Sequence, residues 1–266
     1  AISEGTELLS VELTGITDNA GTVNVSGLSG TGSGIILDND LQVLVSIAAT
    51  TQAAEDATNG LFTISIDKAL STGLTINLVT SGTATNGTDM NMMATSVTIP
   101  AGSFSVTTPV TVISDAIAEG TESVILTLGA NSGAPAGVTV ENSDIENAAT
   151  VNITDNDDAN ITIAGVSVNE GVVSGEATFV VTLNGNVENS FSVNYSTSNI
   201  SASAGSDYQA ASGFITFPDD SENGDTQTIN VNITNDNVIE ATESFRITLS
   251  GITGGIVTLG NTTADG

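Results

Sequence analysis

The sequence contains no cysteine and no histidine, and its only basic side chains are Lys68 and Arg246. The absence of cysteine and histidine excludes disulfide bonds, thiolate chemistry, imidazole metal ligands and histidine-based acid–base catalysis. Two basic residues are too few for a clamp on phosphate or carboxylate groups. Aromatic residues make up only 3% of the chain and include no tryptophan, which argues against a stacked platform for sugar binding.

The chain has 31 acidic residues but only two basic ones, so its 266 residues carry a formal charge of −29 at pH 7. Nucleic acids and anionic membrane surfaces would repel such a chain, and the partner of its acidic groups is expected to be cationic. No apolar run approaches the roughly 20 residues that a membrane-spanning helix needs, and no signal peptide opens the chain. We therefore expect no nucleic-acid partner and no direct membrane insertion, and metal ions are the first candidates.

What the sequence has in abundance is a repeated pattern of acidic residues with glycines beside them. The stretch 115–122 reads DAIAEGTE, and related stretches lie at 1–7 and 236–243. The central glutamates of the three copies are 115 and 121 residues apart, which is the size of a small β domain rather than of a solenoid unit. The spacing predicts two domains and the end of another one.

Between the acidic stretches lie short runs rich in Val, Ile and Thr, which often alternate apolar and polar residues and are bounded by Gly, Asn or Asp. This pattern is typical of β-strands, and no segment has a helical period. We predict strands near 8–13 and 34–37, then at 43–47, 61–66, 74–79, 96–99, 106–113, 124–128 and 149–154, and again at 161–168, 177–183, 191–195, 213–217, 228–233 and 245–249. Seven strands per complete domain predict an all-β protein of tandem immunoglobulin-like antiparallel β-sandwiches.

The repeats divide the chain into three parts. Residues 1–40 are expected to be the C-terminal part of a first repeat, residues 41–158 a complete repeat, and residues 159–266 a repeat that lacks its last strand. Almost no linker separates them, which favours an end-to-end arrangement. Because the chain begins inside a repeat, we expect it to be an internal piece of a longer protein.

The repeated acidic residues lie just before or just after predicted strands, and strand ends at one pole of a sandwich lie near one another. Clustered carboxylates repel one another unless a cation lies among them, and Ca²⁺ takes about six to eight oxygen ligands from such groups. A single acid at a strand end is more often merely solvated, but repetition of the whole set favours a Ca²⁺ site. The candidate metal ligands are Glu4, Glu7, Asp38, Asp40, Glu55, Asp89, Asp115, Glu119, Glu122, Asp155, Asp157, Asp158, Glu170, Asp207, Asp236, Glu240 and Glu243.

Several stretches in their order along the chain resemble the signature of Calx-β domains. They are Asn152–Asp158, Val168–Glu170, Ala202–Tyr208, Gly213–Phe217 and Glu240–Phe245. The resemblance covers nearly the whole chain and implies seven-stranded immunoglobulin-like sandwiches that bind Ca²⁺ at one end. Such domains occur in the regulatory loops of sodium/calcium exchangers and in tandem arrays on large bacterial surface proteins.

The resemblance also implies where the Ca²⁺ ligands lie: after the first strand, before the fourth, before the sixth and after the seventh. Carried over to this chain, these positions are the acidic residues already named. The complete repeat departs from the pattern at Met90, where the family prefers tyrosine after the aspartate. The last repeat lacks the terminal acidic run that supplies part of the ligands in the family.

The leading interpretation is a calcium-stiffened structural segment of a long extracellular adhesin or surface filament on a bacterial cell surface. Its expected partners are calcium ions, neighbouring repeats of the same chain, and other copies or a surface ligand. The alternative is a calcium-sensing regulatory module of a larger transporter or enzyme, with micromolar affinity. An enzyme, such as a glycosidase with two carboxylates, is disfavoured because the acids lie at repeated strand ends, and we predict no catalytic site.

Overall fold

A computed structural model describes residues 2–3, 7–12, 31–36, 42–56, 58–171, 175–254 and 256–266. All regular secondary structure in these ranges is β-strand, as the sequence predicted. No helix in the described part of the chain is long and apolar enough to cross a membrane.

The strands of the first part of the chain are β1 (Ile2–Ser3), β2 (Glu7–Glu12), β3 (Thr31–Ile36), β4 (Gln42–Thr51), β5 (Ala53–Ala54), β6 (Gly60–Ile66), β7 (Ala69–Leu70), β8 (Leu74–Gly82), β9 (Ser96–Ile99), β10 (Ser105–Val110), β11 (Ile117–Ala118), β12 (Glu122–Ser132), β13 (Thr139–Asn142) and β14 (Ala148–Thr154). Those of the second part are β15 (Asn160–Ile163), β16 (Glu176–Asn184), β17 (Asn186–Val187), β18 (Phe191–Asn199), β19 (Ser212–Phe217), β20 (Thr226–Asn232), β21 (Phe245–Thr253), β22 (Thr258–Leu259) and β23 (Thr263–Asp265).

Contacts divide the chain into two compact units. The first unit comprises Ala1–Ala53, Thr58–Ile113 and Glu122–Ile153. The second comprises Ala54–Ala57, Ser114–Thr121 and Thr154–Gly266. The second unit therefore includes two short segments that lie, in sequence, inside the complete repeat.

The first unit contains a four-stranded sheet in the order β10-β6-β4-β13, and β5-β14-β12-β8-β9 forms a five-stranded sheet. Alternate residues of β6 are buried, with Phe62 and Ile64 fully so, and Val124 and Leu126 are equally buried on β12. This alternation gives each sheet one apolar face, and removing a side chain of this size from water contributes about 1.5–3 kcal/mol. The apolar faces together form one core, as in a β-sandwich.

The second unit has two four-stranded sheets, β20-β16-β15-β22 and β19-β18-β21-β23. Aromatic rings form much of its core. The rings of Phe191 and Phe217 are stacked with centroids 4.9 Å apart, and Tyr208 stacks on Phe245 at 4.4 Å. The Tyr208 hydroxyl donates a hydrogen bond to Asn199 Oδ1, so its buried polar tip is satisfied.

Each predicted strand has a counterpart in the structure, but the pairing is not antiparallel throughout. β13 pairs with β4 in parallel, and so does β22 with β15. The strand predicted at 161–168 ends at Ile163. Ala164 still donates to the backbone oxygen of Val180 in β16, but Val166 donates to that of Asp265. The chain thus changes partners at this point.

The sequence did not predict the shortest strands, which are too short to show alternation. One of them corrects the expectation that the last repeat has no seventh strand. β23 lies antiparallel to β21, on the side where β14 lies against β12 in the first unit. Three residues of a seventh strand are therefore present.

Candidate metal centre

Each unit contains the same tight loop ahead of an aspartate. The Asp89 Oδ2 atom accepts a hydrogen bond from the backbone N–H of Thr85, and Asp207 Oδ2 accepts one from Ser203 at 2.6 Å. Both loops turn at a glycine with positive φ, 92° at Gly87 and 99° at Gly205, a conformation that favours glycine. The Ser203 N–H, followed by the Ser206 hydroxyl, holds the pKa of Asp207 below its usual value.

A second local structure is also repeated. Asp115 Oδ1 accepts a hydrogen bond from the N–H of Ile117 at 2.9 Å, and Asp236 Oδ1 accepts one from Val238 at 2.7 Å. An aspartate that bonds to the backbone two residues ahead forms an Asx turn, which tightens the loop. The two copies of the DxxxE stretch therefore fold in the same way locally.

The carboxylate of Asp155 links two loops of the second unit through hydrogen bonds to their backbones. Its Oδ2 atom accepts a hydrogen bond from the N–H of Glu119 at 2.7 Å, and its Oδ1 atom accepts one from Asp157 at 2.8 Å. The neighbouring Thr154 carbonyl accepts a hydrogen bond from the N–H of Glu55 at 3.1 Å. These bonds bring together the three stretches of sequence that contain Glu55, Glu119 and Asp157.

The result is a compact cluster of carboxylates formed by Glu55, Asp115 and Asp157. Each offers one oxygen, and the three oxygens lie within 4.8 Å of one another. Glu55 is only 3% exposed. Asp157 Oδ2 is buried and has no hydrogen-bond partner among the described residues. Burial, and then the charges of Asp155, Asp115 and Asp158, raise the pKa of Asp157.

Carboxylates group in two further places. Asp207, Glu240 and Glu243 form one such group in the second unit, and Asp89 and Glu122 form the other in the first unit, with the same 4.8 Å limit between their oxygens. The two groups occupy equivalent positions of the repeat. Loss of water and neighbouring carboxylates, Asp207 first among them, raise the pKa of Glu240.

The group in the second unit lines an open pocket that also includes Glu170. Loss of water raises the pKa of Glu243, and a hydrogen bond with Asp207 adds to the effect. Two carboxyl groups that are joined by a hydrogen bond are unfavourable neighbours when both are charged, because their negative charges repel each other. The pocket therefore has the chemistry of a cation site.

No basic side chain neutralises these clusters. Lys68 lies 4.0 Å from Asp67, and Arg246 is paired with Asp265 at 2.7 Å. These are the only two basic residues of the sequence. A counter-charge for the clusters must therefore come from outside the side chains of this protein.

The structure places the predicted ligands in three ways. Eight of them form the three groups, and Asp155 lies beside one group and accepts the backbone N–H of Glu119. Asp158, Glu170 and Asp236 lie close enough for their charges to raise the pKa of a group member. Glu4, Asp38 and Asp40 lie outside the described residues, and Glu7 is described only as the start of β2. The role of all these residues as metal ligands stays a prediction.

The sequence analysis did not identify the groups that orient the carboxylates. The Thr85 and Ser203 N–H groups and the Ser206 hydroxyl position the two loop aspartates. The signal was present in the repeated pattern of small residues, glycine and aspartate at 84–89 and 202–207. Met90, which departs from the family pattern, is 1% exposed and fills the core position that Tyr208 fills in the other unit.

Comparison with known proteins gives a family and several similar structures. The family model of the Calx-beta domain matches residues 38–157 and 160–262. The crystal structure of CBD12 from CALX1.2 is 20% identical, covers 84% of this chain and 98% of its own, and has a TM-score of 0.37. Calcium binding domain CBD12 of CALX1.1 is 20% identical with coverages of 82% and 98% and a TM-score of 0.36. The apo-form Calx CBD1 domain is 27% identical, with coverages of 41% and 96% and a TM-score of 0.36. No curated protein matches the chain.

Proposed function

The chain belongs to the Calx-beta domain family, and we propose that its carboxylate clusters bind Ca²⁺ and stiffen a structural repeat segment of a long extracellular adhesin or surface filament. The observation that carries the calcium proposal is the cluster of Glu55, Asp115 and Asp157, whose oxygens lie within 4.8 Å of one another. The proposed role is structural rather than catalytic.

The residues present fit a hard cation such as Ca²⁺ better than zinc, copper or iron–sulfur clusters. Every candidate ligand is a carboxylate, and the sequence has no cysteine or histidine that would suit zinc, copper or iron–sulfur chemistry. Carboxylate and backbone oxygens are the ligands that Ca²⁺ takes, in a flexible geometry. The buried Oδ2 atom of Asp157, which has no hydrogen-bond partner among the described residues, supports the same conclusion because a bound cation would satisfy it.

Bound Ca²⁺ would supply positive charge that holds loops from distant parts of the sequence together. Glu55, Asp115 and Asp157 would be its ligands in one place, and Asp207, Glu240 and Glu243 in another. Asp155 would position the first set through its bonds to the backbone of Glu119 and Asp157. Without the cation, like charges push the same loops apart, so the ion acts as a stiffener.

The extracellular setting is part of the proposal and rests on composition and repetition. A chain without cysteine, with 31 acidic residues and tandem equivalent sites, suits a medium with millimolar Ca²⁺, where weak sites remain filled. A regulatory module of a transporter or enzyme would need tighter binding, at micromolar Ca²⁺.

The test is thermal unfolding of the chain with Ca²⁺, with Mg²⁺ and with a chelator. Binding to the folded state alone adds stability of RT ln(1 + [L]/Kd), about 2.7 kcal/mol at a hundredfold excess over Kd. We expect Ca²⁺ to raise Tm clearly and Mg²⁺ to raise it far less. A Tm that is the same with Ca²⁺ and with chelator refutes the calcium sites. Calorimetric titration then separates the two settings, since a Kd near the micromolar range contradicts the stalk and favours the sensor.

A further inference from the structure

Each unit contains a two-residue parallel strand pair beside its sandwich. In the first unit, β1 pairs with β7, with Ile2 opposite Ala69 and Ser3 opposite Leu70. In the second unit, β11 pairs with β17, with Ile117 opposite Asn186 and Ala118 opposite Val187. Both pairs join the same two positions of the repeat, because Ile2 and Ile117 lie at equivalent places in the acidic stretch.

The pair in the second unit is well anchored. Ala118 is 3% exposed and belongs to the apolar core of that unit, together with Val187 at 2%. Asn186 donates a hydrogen bond from Nδ2 to the carbonyl oxygen of Ala116 at 3.1 Å. The short strand is therefore held by both packing and hydrogen bonds.

The third copy of the acidic stretch presents the same two positions to solvent. Val238 and Ile239 correspond to Ile117 and Ala118, and they are 62% and 100% exposed. Their loop has the same local structure, since Asp236 accepts the N–H of Val238 as Asp115 accepts that of Ile117. Within the described residues, neither Val238 nor Ile239 belongs to a strand pair.

We propose that Val238–Ile239 is a docking strand for a further Calx-beta domain, which binds it in parallel through the two-residue strand that comes after its counterpart of β6 and β16. The occupant is specified by the two pairs already present, where Ala69–Leu70 and Asn186–Val187 play this part. In those two residues of the incoming domain, the second is apolar and buried, as Leu70 and Val187 are. A fully exposed isoleucine at this position gains more apolar burial than Ala118 does.

The experiment lengthens the chain by one repeat. Residues 1–265 are followed by a second copy of residues 151–266, because Asp265 pairs with Arg246 as Thr150 pairs with Ile125. The added residues continue the seventh strand and supply one more domain. Since the natural sequence has no cysteine, Ile239→Cys in the first copy gives a single reactive thiol.

We expect a maleimide to label this thiol more slowly in the lengthened chain than in the 266-residue chain, by about tenfold or more, because a buried thiol reacts only through local opening. The matched control is Ile239→Cys in the second copy of the lengthened chain, which stays exposed and reacts fast. Equal labelling of the two copies overturns the proposal, provided that circular dichroism per residue shows the added repeat folded.

A second variant tests the proposal if the added repeat does not fold. Ala118→Cys in the 266-residue chain is expected to be labelled about tenfold or more slowly than Ile239→Cys in that chain, because its strand pair is already formed. Equal rates for these two thiols would mean that the strand pair is not maintained in solution, and the proposal fails.

Discussion

Asp155 accepts the backbone N–H of Glu119 at 2.7 Å, although 36 positions of sequence separate the two residues. Asp155 uses its other oxygen for the N–H of Asp157. Both oxygens thus bind backbone groups, and this carboxylate supports the loops from which the neighbouring acids project. Its contribution to stability should not depend on a metal ion.

We expect Asp155→Ala to lower the free energy of unfolding measured in chelator by about 1.5–3 kcal/mol, since hydrogen bonds to a charged group are lost and two partly buried N–H donors lose their acceptor. Urea denaturation measures this. The control is Asp144→Ala, because Asp144 is an exposed acid outside the three groups. A similar loss in both variants would mean that net charge, rather than the loop contacts, determines the result.

Asp157→Asn should act in opposite directions with and without Ca²⁺. In chelator the variant is expected to be more stable by roughly 0.5 kcal/mol, because it removes a carboxylate that its neighbours Asp155, Asp115 and Asp158 repel. In Ca²⁺ it should gain less stability than the unmodified chain, since a charged ligand is lost. Thermal unfolding in both conditions tests this, and a variant that is destabilised equally in both would point to a packing role.

The pH dependence of stability should report on Glu240 and Glu243, whose pKa values are raised above the ordinary 4.5 by loss of water and by nearby carboxylates. Raised values mean that the folded chain holds these protons at pH values where the unfolded chain has lost them. In chelator, their contribution to stability is therefore present at low pH and is lost as pH rises through the raised values.

The double variant Glu240→Gln/Glu243→Gln does not titrate at these positions. Between about pH 4 and about pH 7, the free energy of unfolding of the unmodified chain should fall relative to that of the double variant. Urea denaturation at a series of pH values in chelator measures the difference. A difference that does not change with pH contradicts the prediction.

Gly205→Ala should weaken the loop that orients Asp207. Gly205 has a φ of 99°, where a side chain is strained even though no atom lies within 4 Å of the added Cβ. The expected cost is about 1–2 kcal/mol in the free energy of unfolding, with weaker Ca²⁺ binding in the second unit. Gly34→Ala is the control, because this glycine has open space around it without a positive φ.

The sequence predicted the long strands and the grouping of acids because both depend on local signals that recur. Strands such as β9 match their predicted bounds, since alternation and flanking turn residues define them. The convergence of Glu55, Asp115 and Asp157 followed from their positions at strand ends.

What the sequence could not indicate depends on contacts between distant segments. The parallel pairing of β13 with β4 and the two-residue strands have no periodic pattern, because two residues cannot alternate. Whether an acid such as Asp155 contacts backbone or is a candidate metal ligand depends on where N–H groups of other loops lie. Repetition identifies the set of acids but not the division of roles within it.

The segment Ser114–Thr121 has a consequence for how the protein can be divided. It precedes β12 in the complete repeat, yet its contacts place it in the second unit, where Ala118 packs in the core. A fragment cut at residue 159, where the sequence repeat begins, would leave Val187 without this neighbour.

We therefore expect a fragment that starts at residue 159 to have a lower Tm than the second unit of the intact chain. We also expect Ala118→Asp in the intact chain to destabilise the second unit before the first. The family match thus ends at residue 157, whereas the part of the chain that we expect to unfold together with the second unit begins at Ser114.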